Sequence, residues 1–389
     1  MRVKRIGDLF TISKGKKYDE TQLNDSNEMV RYLQIEDLRN DKNIKMVNRI
    51  DNGVYVTSND VLIAWDGANA GTFGYNLTGI IGSTLAVLRP RDSNNYIPYI
   101  AKFLRSKSLF LRENCTGATI PHIQKKVLED IEVPLPSFEQ QKEIAYILDK
   151  AEAIIDKRKQ AIAKLDELVQ AVFLDMFGQF SDTNCKIKDV IISLQAGLST
   201  GGETRQKQGS ELGVLTTSAV TSGEFIDTAY KVPSEKDIKL NKLVFPTKNS
   251  ILVSRMNTRE LVGASAIIEK DYNDLFIPDR LWKLTLDQRI VNPYYFLFVI
   301  QAKKIRDEVS RLSSGTSGSM LNISQEKYLG IDFYLPAKQL QDQFASMIIQ
   351  IRNTKNKMKL QLQQLESNFQ ALLQKAFKGE LTVKDGVAV

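Results

Sequence analysis

The side chains with the clearest chemical potential are arginine, lysine and asparagine residues in polar loops. Residues 255–259 read Arg-Met-Asn-Thr-Arg, which places two guanidinium groups and one amide within five positions. Such groups can make paired hydrogen bonds to the edges of nucleic-acid bases when they project into a groove. The candidate residues of this segment are Arg255, Asn257 and Arg259, and those of other loops are Lys14, Lys16, Lys17, Tyr18, Asn69, Thr72, Arg205, Lys207 and Arg280. The alternative for each charged residue is a solvated surface position.

Two further loops are rich in glycine and hydroxyl groups. Gly117 and Thr119 lie in the first, and Thr316 and Ser317 lie in the second. Backbone N–H groups and short hydroxyls of this kind can bind phosphate oxygens, which positions a protein on a nucleic acid without specifying sequence. Simple loop flexibility would account for the same composition.

Residues that could carry catalysis are scarce. His122 is the only histidine, and Cys115 and Cys185 are the only cysteines. This composition excludes histidine-rich metal sites, Ser-His-Asp triads and a disulfide framework. The glycines of residues 197–202 are not followed by the Lys-Ser/Thr pair of a phosphate-binding loop. Asp279 has no acidic-x-lysine partner at a nuclease-like distance, so we expect it to order a turn.

One short motif resembles that of an enzyme. Residues 292–295 read Asn-Pro-Tyr-Tyr, which is close to the Asn-Pro-Pro-Tyr motif with which adenine methyltransferases hold a target base. However, asparagine followed by proline is also what a helix start requires, namely a capping side chain and then a residue with a preset φ. The helix start is the preferred interpretation. Trp65 and Trp282 are likewise expected to pack in cores.

Long helices are predicted to position these loops. The segment 136–177 returns as 336–377, and in both copies apolar residues recur at alternating spacings of four and three. This spacing is typical of a coiled-coil seam. The seam residues are Ile144, Leu148, Ile155, Ile162, Leu165 and Val169 in the first helix and Phe344, Ile348, Ile351, Met358, Leu362 and Leu365 in the second. Lys355 is a polar exception. Two matched helices in one chain can pair with each other.

The segments before the helices are duplicated as well. Residues 6–9 match 187–190, residues 60–63 match 250–253, and residues 131–136 match 331–336. Strand-like runs are predicted over 60–65, 80–88, 250–255 and 281–286, with one amphipathic helix in each copy, near 97–112 and 293–312. A chain of 389 residues accommodates two domains of about 130 to 150 residues besides the helices. The predicted order is therefore globular, helix, globular, helix, in an α+β fold.

Charge and hydropathy indicate a cytosolic protein with an anionic partner. The net charge is +7, which favours nucleic acid, although many soluble proteins are mildly basic. No run of eighteen apolar residues occurs, and the basic residues 1–5 are not followed by an apolar signal core.

The order of these motifs resembles that of a known family. The relevant segments are 117–119 with Ile123, 133–136, 139–141 with Ile144 and Ala145, 255–264, 278–282 and 376–381. Together they look like the specificity subunit of Type I restriction-modification enzymes. The second junction departs from the first, because it reads Leu-Gln-Asp-Gln at 340–343 instead of Glu-Gln-Gln.

The resemblance implies an architecture. It predicts two α/β target recognition domains, separated by two long helices that form an antiparallel coiled coil, with a pseudo-twofold internal repeat. The predicted segments are recognition domain 1 at 1–135, helix 1 at 136–180, recognition domain 2 at 181–335, helix 2 at 336–380 and a tail at 381–389. Helices of forty-odd residues would span about 60 Å and hold the domains at a fixed distance.

The resemblance also implies a function. The chain would be a non-catalytic subunit that binds an asymmetric, bipartite site on double-stranded DNA and recruits two adenine methyltransferase subunits and restriction subunits. It would hold no cofactor of its own, with S-adenosylmethionine on the methyltransferase and ATP and Mg on the restriction subunits, and it would have no membrane partner. The alternatives are a self-contained DNA methyltransferase and a coiled-coil scaffold without DNA specificity.

Overall fold

The computed structural model divides the chain into two compact units. The first unit consists of residues 1–161 with 358–389, and the second consists of residues 162–357. The residues described are 2–18, 28–117, 119–178, 183–234, 236, 238, 243–315 and 320–381. No helix in these ranges is long and apolar enough to cross a membrane.

The first unit combines short strands with helices. Its strands are β1 (Arg2–Arg5), β2 (Phe10–Lys14), β3 (Met29–Leu33), β4 (Met46–Asn48), β5 (Tyr55–Val56), β6 (Val61–Ala64), β7 (Phe73–Tyr75), β8 (Gly79–Ile81), β9 (Leu85–Pro90) and β10 (Glu132–Leu135). Its helices are α1 (Ile6–Leu9), α2 (Ile97–Ser106), α3 (Ser108–Glu113), α4 (Lys125–Glu129) and the first part of α5 (Phe138–Phe177), with a 3₁₀ turn at Ile35–Leu38.

The central sheet of the first unit has the strand order β2-β9-β6-β7, and all of its pairs are antiparallel. Side chains alternate across it, as a sheet covered on both faces requires. Val61 and Ile63 lie in the main core with α2, whereas Leu62 and Ala64 lie in a separate cluster. A second sheet has the order β4-β3-β8-β5.

The second unit repeats this plan. Its strands are β11 (Cys185–Lys186), β12 (Ile191–Ala196), β13 (Gly213–Leu215), β14 (Tyr230–Lys231), β15 (Ile251–Ser254), β16 (Met256–Asn257), β17 (Ser265–Ile267), β18 (Leu275–Phe276), β19 (Leu281–Leu286), β20 (Leu321–Asn322) and β21 (Asp332–Phe333). Its helices are α6 (Pro293–Gln301), α7 (Lys303–Leu312), α8 (Gln325–Leu329) and the first part of α9 (Lys338–Lys378), with 3₁₀ turns at Ile187–Val190 and Thr217–Ala219.

The order of the strands confirms the internal repeat. The sheet β12-β19-β15-β17 has the order and the antiparallel pairing of β2-β9-β6-β7. The pair β11–β21 corresponds to β1–β10, and the parallel pair β13–β18 corresponds to β3–β8. The fold is therefore α+β in both units, as the sequence predicts. We use "first module" and "second module" for the parts of the two units that precede α5 and α9.

Three predicted elements were wrong in detail. The strand expected over 80–88 is divided into β8 and β9, which belong to different sheets. The chain turns between them, where Leu85 N–H donates to Gly82 O at 3.1 Å. The single amphipathic helix expected near 97–112 is interrupted at Lys107, and the one near 293–312 is interrupted at Ala302.

The long helices pair in opposite directions within each unit. In the first unit the beginning of α5 packs against the end of α9, where Leu148 shares a core with Leu372 and Lys159 contacts Glu366 at 2.8 Å. In the second unit the end of α5 packs against the beginning of α9, where Phe173 lies against Phe344. This pairing confirms the predicted antiparallel coiled coil.

Burial along the seam differs by position. The fully buried members of the predicted seam are Ile144, Leu148, Ile155, Phe344 and Ile348. The partly buried members are Ile162, Leu165, Val169, Ile351, Met358, Leu362 and Leu365. Lys355, the polar exception, bonds to Asp166 of α5 at 2.6 Å. It therefore forms an ion pair where the apolar members pack.

A buried glutamine joins each module to its long helix. Gln141 accepts a hydrogen bond from Tyr96 N–H at 2.9 Å and donates to Pro136 O at 3.0 Å. Gln341 accepts from Asn292 N–H at 2.8 Å and donates to Pro336 O at 2.8 Å. Each glutamine thus satisfies backbone groups of two elements at once, which fixes the start of α2 or α6 against its long helix.

Candidate nucleic-acid interface

The first module projects a β-hairpin loop, residues 65–71, between β6 and β7. We call it the first hairpin loop. Ala64 N–H donates to Thr72 O at 2.8 Å, and Gly71 N–H donates to Ala64 O at 2.9 Å. Gly71 has a φ of +84°, a conformation that glycine adopts without steric cost. The base of the loop is therefore fixed by backbone geometry.

The loop that contains Gly117 lies against this hairpin. Ile123 N–H donates to Trp65 O at 3.0 Å, and Gly67 N–H donates to Pro121 O at 2.9 Å. Thr116 and His122 exchange backbone hydrogen bonds at 2.8 and 3.0 Å, which closes the loop on itself. Segments that are 54 to 58 residues apart in the sequence thus form one surface.

Asp66 binds the side chains of Lys14 and His122 on this surface. Lys14, the last residue of β2, places Nζ 2.6 Å from Asp66 Oδ2, and His122 places Nδ1 2.6 Å from Asp66 Oδ1. Partial burial acts to raise the pKa of the Asp66 carboxyl, but the hydrogen bonds from Lys14 and His122 outweigh it. The pKa of Asp66 therefore lies below its ordinary value, and the carboxylate is ionised at neutral pH.

The structure gathers only part of the predicted first-module set here. Lys14, Asn69, Thr72, Gly117 and Thr119 belong to the strands and loops just described. Asn69 accepts a hydrogen bond from Arg39 at 2.7 Å, Thr72 is half-buried, and Gly117 and Thr119 are exposed.

The other first-module candidates lie elsewhere. Lys16 donates to Asn52 O at 3.2 Å, and Lys17 is exposed. The Tyr18 hydroxyl accepts from Val54 N–H at 2.9 Å and donates to Ile81 O at 3.3 Å, and its ring packs on a small core. Tyr18 therefore has a packing role in this structure.

The second module has the same hairpin frame. Ser254 N–H donates to Ala264 O at 2.8 Å, Gly263 N–H donates to Ser254 O at 2.7 Å, and Gly263 has a φ of +78°. We call residues 255–263 the second hairpin loop. Ile323 N–H donates to Arg255 O at 3.0 Å, as Ile123 does to Trp65. Arg255 therefore stands at the position of Trp65.

The predicted contact residues in and near the second hairpin loop differ in exposure. Arg255 Nε donates to Asp279 O at 2.6 Å, and the Asn257 amide donates to Ser254 Oγ at 3.3 Å. Both residues are half-buried and help to order the loop. Arg259 and Arg280 are exposed, so their guanidinium groups face solvent.

The remaining second-module candidates are held by carboxylates. Arg205 binds Glu211 through two hydrogen bonds of 2.6 and 2.7 Å, and it lowers the pKa of Glu211 to about 2. Lys207 pairs with Asp274 and lies over the Tyr230 ring. The predicted contacts Thr316 and Ser317 lie outside the described residues.

The structural interpretations of the enzyme-like motifs are confirmed. Asn292 caps α6 by accepting from Tyr294 N–H at 3.0 Å, and Pro293 is the first residue of the helix. Asp279 lies in a turn that Leu281 N–H closes onto Pro278 O at 3.1 Å. Trp282 is fully buried. Within the described ranges, no group of three His, Cys, Asp or Glu side chains could hold a metal ion.

Sequence reasoning missed three residues of the first-module surface, namely Asp66, His122 and Arg39. Asp66 directly follows the strand predicted over 60–65, and His122 lies between Gly117 and Ile123 of the glycine loop. The signal that could have identified both residues is their position within these two motifs.

Comparisons with known proteins agree with this fold. Residues 1–167 match the family described as the Type I restriction modification DNA specificity domain. The chain is 26% identical to the Type I restriction enzyme MjaVIII specificity subunit of Methanocaldococcus jannaschii, over 98% of this chain and 93% of the relative.

Two solved structures have similar folds. The S subunit of a Type I restriction-modification system from M. genitalium aligns with a TM-score of 0.56 and 16% identity, over 97% of this chain and 96% of that chain. A chain from a structural study of complex assembly and conformational transition in the type I R-M system aligns with a TM-score of 0.58 and 15% identity, over 98% of both chains. The resemblance inferred from the sequence motifs is thus confirmed.

Proposed function

We propose that this chain is a specificity subunit of the Type I restriction-modification kind and that it binds a bipartite site on double-stranded DNA through its two modules. The match of residues 1–167 to the specificity-domain family and the likeness to a Type I specificity subunit along nearly the whole chain support this proposal. Each module reads one half of the site, and the two hairpin loops with their neighbouring segments supply the contacts. The chain itself performs no chemistry in this proposal.

The observation that carries the proposal is that the two hairpin loops share one backbone geometry but carry different side chains. Both hairpin loops close at a glycine with positive φ, and both accept a hydrogen bond from an isoleucine N–H. On this shared frame Trp65 in the first module is replaced by Arg255 in the second. A fixed frame with exchangeable polar groups suits the recognition of two different base sequences, because base edges are distinguished by donor and acceptor pattern.

The proposal includes partners that supply the reactions. Two adenine methyltransferase subunits would carry S-adenosylmethionine, and restriction subunits would carry ATP and Mg. The use of Asn292 as a helix cap supports this assignment, because the amide of a methyltransferase motif must be free to hold a base. One of the structurally similar chains comes from a study of complex assembly in such a system, which also supports recruitment of partners.

The first experiment separates the proposal from its alternatives. The purified chain is incubated with S-adenosylmethionine and DNA, with and without the methyltransferase subunit encoded in the same genome. We expect methyl transfer only when that subunit is present. Transfer by the chain alone would support a self-contained methyltransferase, and a complex that binds no DNA would support a scaffold. Mapping methylated adenines in the source genome then gives the recognised site.

The second experiment tests base recognition in the second module. Arg259→Ala should relax specificity in one half of the mapped site only, at a cost of about 1–3 kcal/mol if the residue reads a base. Lys303→Ala is the matched control, because it also removes an exposed cation of the second unit. A uniform loss of affinity with a smaller salt dependence would instead assign Arg259 to a phosphate.

A further inference from the structure

We infer that Asp66 is a positioning residue that holds Lys14 and His122 side by side to contact a backbone phosphate of DNA on the first module. The inference rests on the proposed function and names a contact within it. It assigns a role to the only histidine of the chain and to a carboxylate that the predicted contact set leaves out.

The geometry brings an ammonium group and an imidazole ring to one carboxylate. Lys14 and His122 each lie 2.6 Å from a different oxygen of Asp66, so the two nitrogen-bearing groups are close neighbours. Asp66 itself is mostly covered, with 17% of its side chain exposed, whereas Lys14 and His122 are 44% and 49% exposed. Solvent therefore meets Lys14 and His122 more than the carboxylate between them.

The hydrogen-bonding groups that Asp66 leaves unused on Lys14 and His122 suit an anion. The ammonium of Lys14 has three N–H donors, of which Asp66 takes one. The hydrogen bond between Asp66 and His122 uses Nδ1, which leaves Nε2 for another partner, and a protonated ring donates through both nitrogens. The Lys14 ammonium and the protonated form of the His122 ring together present adjacent donors that match the oxygens of a phosphate group.

The surroundings leave room for a DNA strand. Gly67 has a φ of +87°, and a Cβ added there would meet no other atom within 4 Å. Gly117, on the neighbouring loop, is exposed. Small residues at these positions allow the backbone of a ligand to approach closely.

At the three corresponding positions, all of which the structure describes, the second module carries other residues. In the sheet of the first module, Lys14 of β2 is the register partner of Ala86 of β9, which is in turn the partner of Ile63 of β6. In the second module the corresponding residues across β12, β19 and β15 are Ala196, Trp282 and Val253. Lys14 therefore corresponds to Ala196. By the same alignment Asp66 corresponds to Met256, and His122 corresponds to Asn322. The same backbone arrangement thus accommodates Ala, Met and Asn at the positions of Lys14, Asp66 and His122. These three residues are therefore suitable substitutions for testing the first module.

The test uses the complex with its methyltransferase subunits and a duplex that carries the site mapped from methylated adenines. Lys14→Ala and His122→Asn should each weaken binding about tenfold, as the loss of a charge-assisted hydrogen bond does. Each should also reduce the slope of log affinity against log salt by about one. Co-purification with the methyltransferase subunits shows that each variant is folded.

Asp66→Met gives the most informative result. If Asp66 acted only through its negative charge, its removal would strengthen the binding of DNA. A positioning residue predicts the opposite, namely weaker binding by about tenfold or more, because Lys14 and His122 both lose the carboxylate that holds them in place. Asp66→Asn, which keeps one acceptor oxygen, should fall between Asp66→Met and the unmodified chain.

A footprint of the histidine supplies a readout independent of affinity. Because His122 is the only histidine, diethyl pyrocarbonate labels one imidazole in this chain, and peptide mass spectrometry quantifies it. We expect labelling without DNA and protection when the duplex is bound. Unchanged labelling, or variants that bind with unaltered affinity and salt slope, would overturn the inference while leaving the proposed function intact. Failure of the unmodified complex to bind the duplex would overturn the proposed function itself.

Discussion

Helices α2 and α6 hold equivalent places in the two modules, yet they contact the long helices through different chemistry. Lys102 of α2 is almost fully buried and forms ion pairs with Asp149 at 2.8 Å and Glu152 at 2.5 Å on α5. The equivalent residue of α6 is Phe298. Lys102 lies six positions after Tyr96, and Phe298 lies six positions after Asn292, and the N–H groups of Tyr96 and Asn292 donate to the two buried glutamines. Phe298 stacks on Phe173 with ring centroids 4.3 Å apart.

The difference shows which contacts define the junction between α2 or α6 and the long helices. Both modules retain the buried glutamine and a tyrosine whose hydroxyl donates to a backbone carbonyl, Tyr99 to Pro134 O at 2.7 Å and Tyr295 to Tyr334 O at 2.6 Å. These bonds satisfy backbone groups and set the orientation of the helix. The side chain at the position of Lys102 then has only to fill or neutralise the interface, which an ion pair or an aromatic cluster can do.

The largest effect is expected from removing Phe173, whose ring lies between those of Phe298 on α6 and Phe344 on α9. Phe173→Ala should destabilise the second unit by about 3–5 kcal/mol, as expected for a buried aromatic residue. Its ring also contacts Phe344 and Tyr295, so the substitution leaves a cavity bordered by several rings that lose packing contacts. The measurement is the free energy of unfolding in urea, with hydrogen exchange to locate the change.

Leu373→Ala is the matched control, because Leu373 is the counterpart of Phe173 on α9 and is only partly buried. It should cost about 1–2 kcal/mol. Equal losses for the two variants would show that the two junctions do not differ in packing.

A second variant breaks the ion-pair junction. The double substitution Asp149→Ala and Glu152→Ala leaves the Lys102 ammonium buried without a partner, which should cost about 2–4 kcal/mol. Adding Lys102→Met should recover much of this loss, because it removes the charge and keeps the length. Urea unfolding checks both steps, and a triple variant no more stable than the double one would refute the role assigned to the ion pairs.

A third pair of variants tests the shared contact. Gln141→Leu and Gln341→Leu should each cost about 1–3 kcal/mol, because each leaves backbone N–H and C=O groups without partners. Gln341 should cost more, since it also donates to Ile290 O at 3.2 Å. Gln160→Leu on the exposed face of α5 is the control. A neutral effect at Gln141 would show that the glutamine does not secure the junction.

The smallest expected effect is the dependence of the first junction on pH. Burial acts to lower the pKa of Lys102, but the hydrogen bonds to Asp149 and Glu152 outweigh it, so its pKa lies above 10.5. A pKa that is higher in the folded state gives stability that is complete below 10.5 and is lost as pH rises through the folded value. The difference in unfolding free energy between the unmodified chain and Lys102→Met should therefore change above pH 10.5. A difference that stays constant across that range would contradict the ion-pair assignment.

Local patterns in the sequence predicted much of this fold. The heptad spacing predicted both long helices, and the pair Asn292-Pro293 predicted the start of α6. Such features depend on neighbours within a few residues. The break between β8 and β9 was missed, although residues 82–84 read Gly-Ser-Thr between two apolar segments. The partners of β8 are β3 and β5, and that pairing depends on distant parts of the chain.

The candidate interface was harder to predict. Asp66 meets Lys14 and His122 only through the sheet register and the closure of the glycine loop, and neither is encoded by local spacing. Lys102 poses the same difficulty, because its carboxylate partners lie on a different helix. Whether the predicted contact residues bind DNA stays a prediction, as does the spacing role of the helices.

The division of the chain has a consequence for its synthesis. The second unit is one uninterrupted segment, whereas the first unit combines the beginning of the chain with its end. A ribosome releases residues 1–161 long before Phe377, whose ring lies 5.6 Å from that of Tyr99 and 5.1 Å from that of Phe103. The module that is translated first is therefore completed last, and its apolar surface stays uncovered on the nascent chain. Nascent chains stalled near residue 357 should accordingly recruit chaperones to their first module.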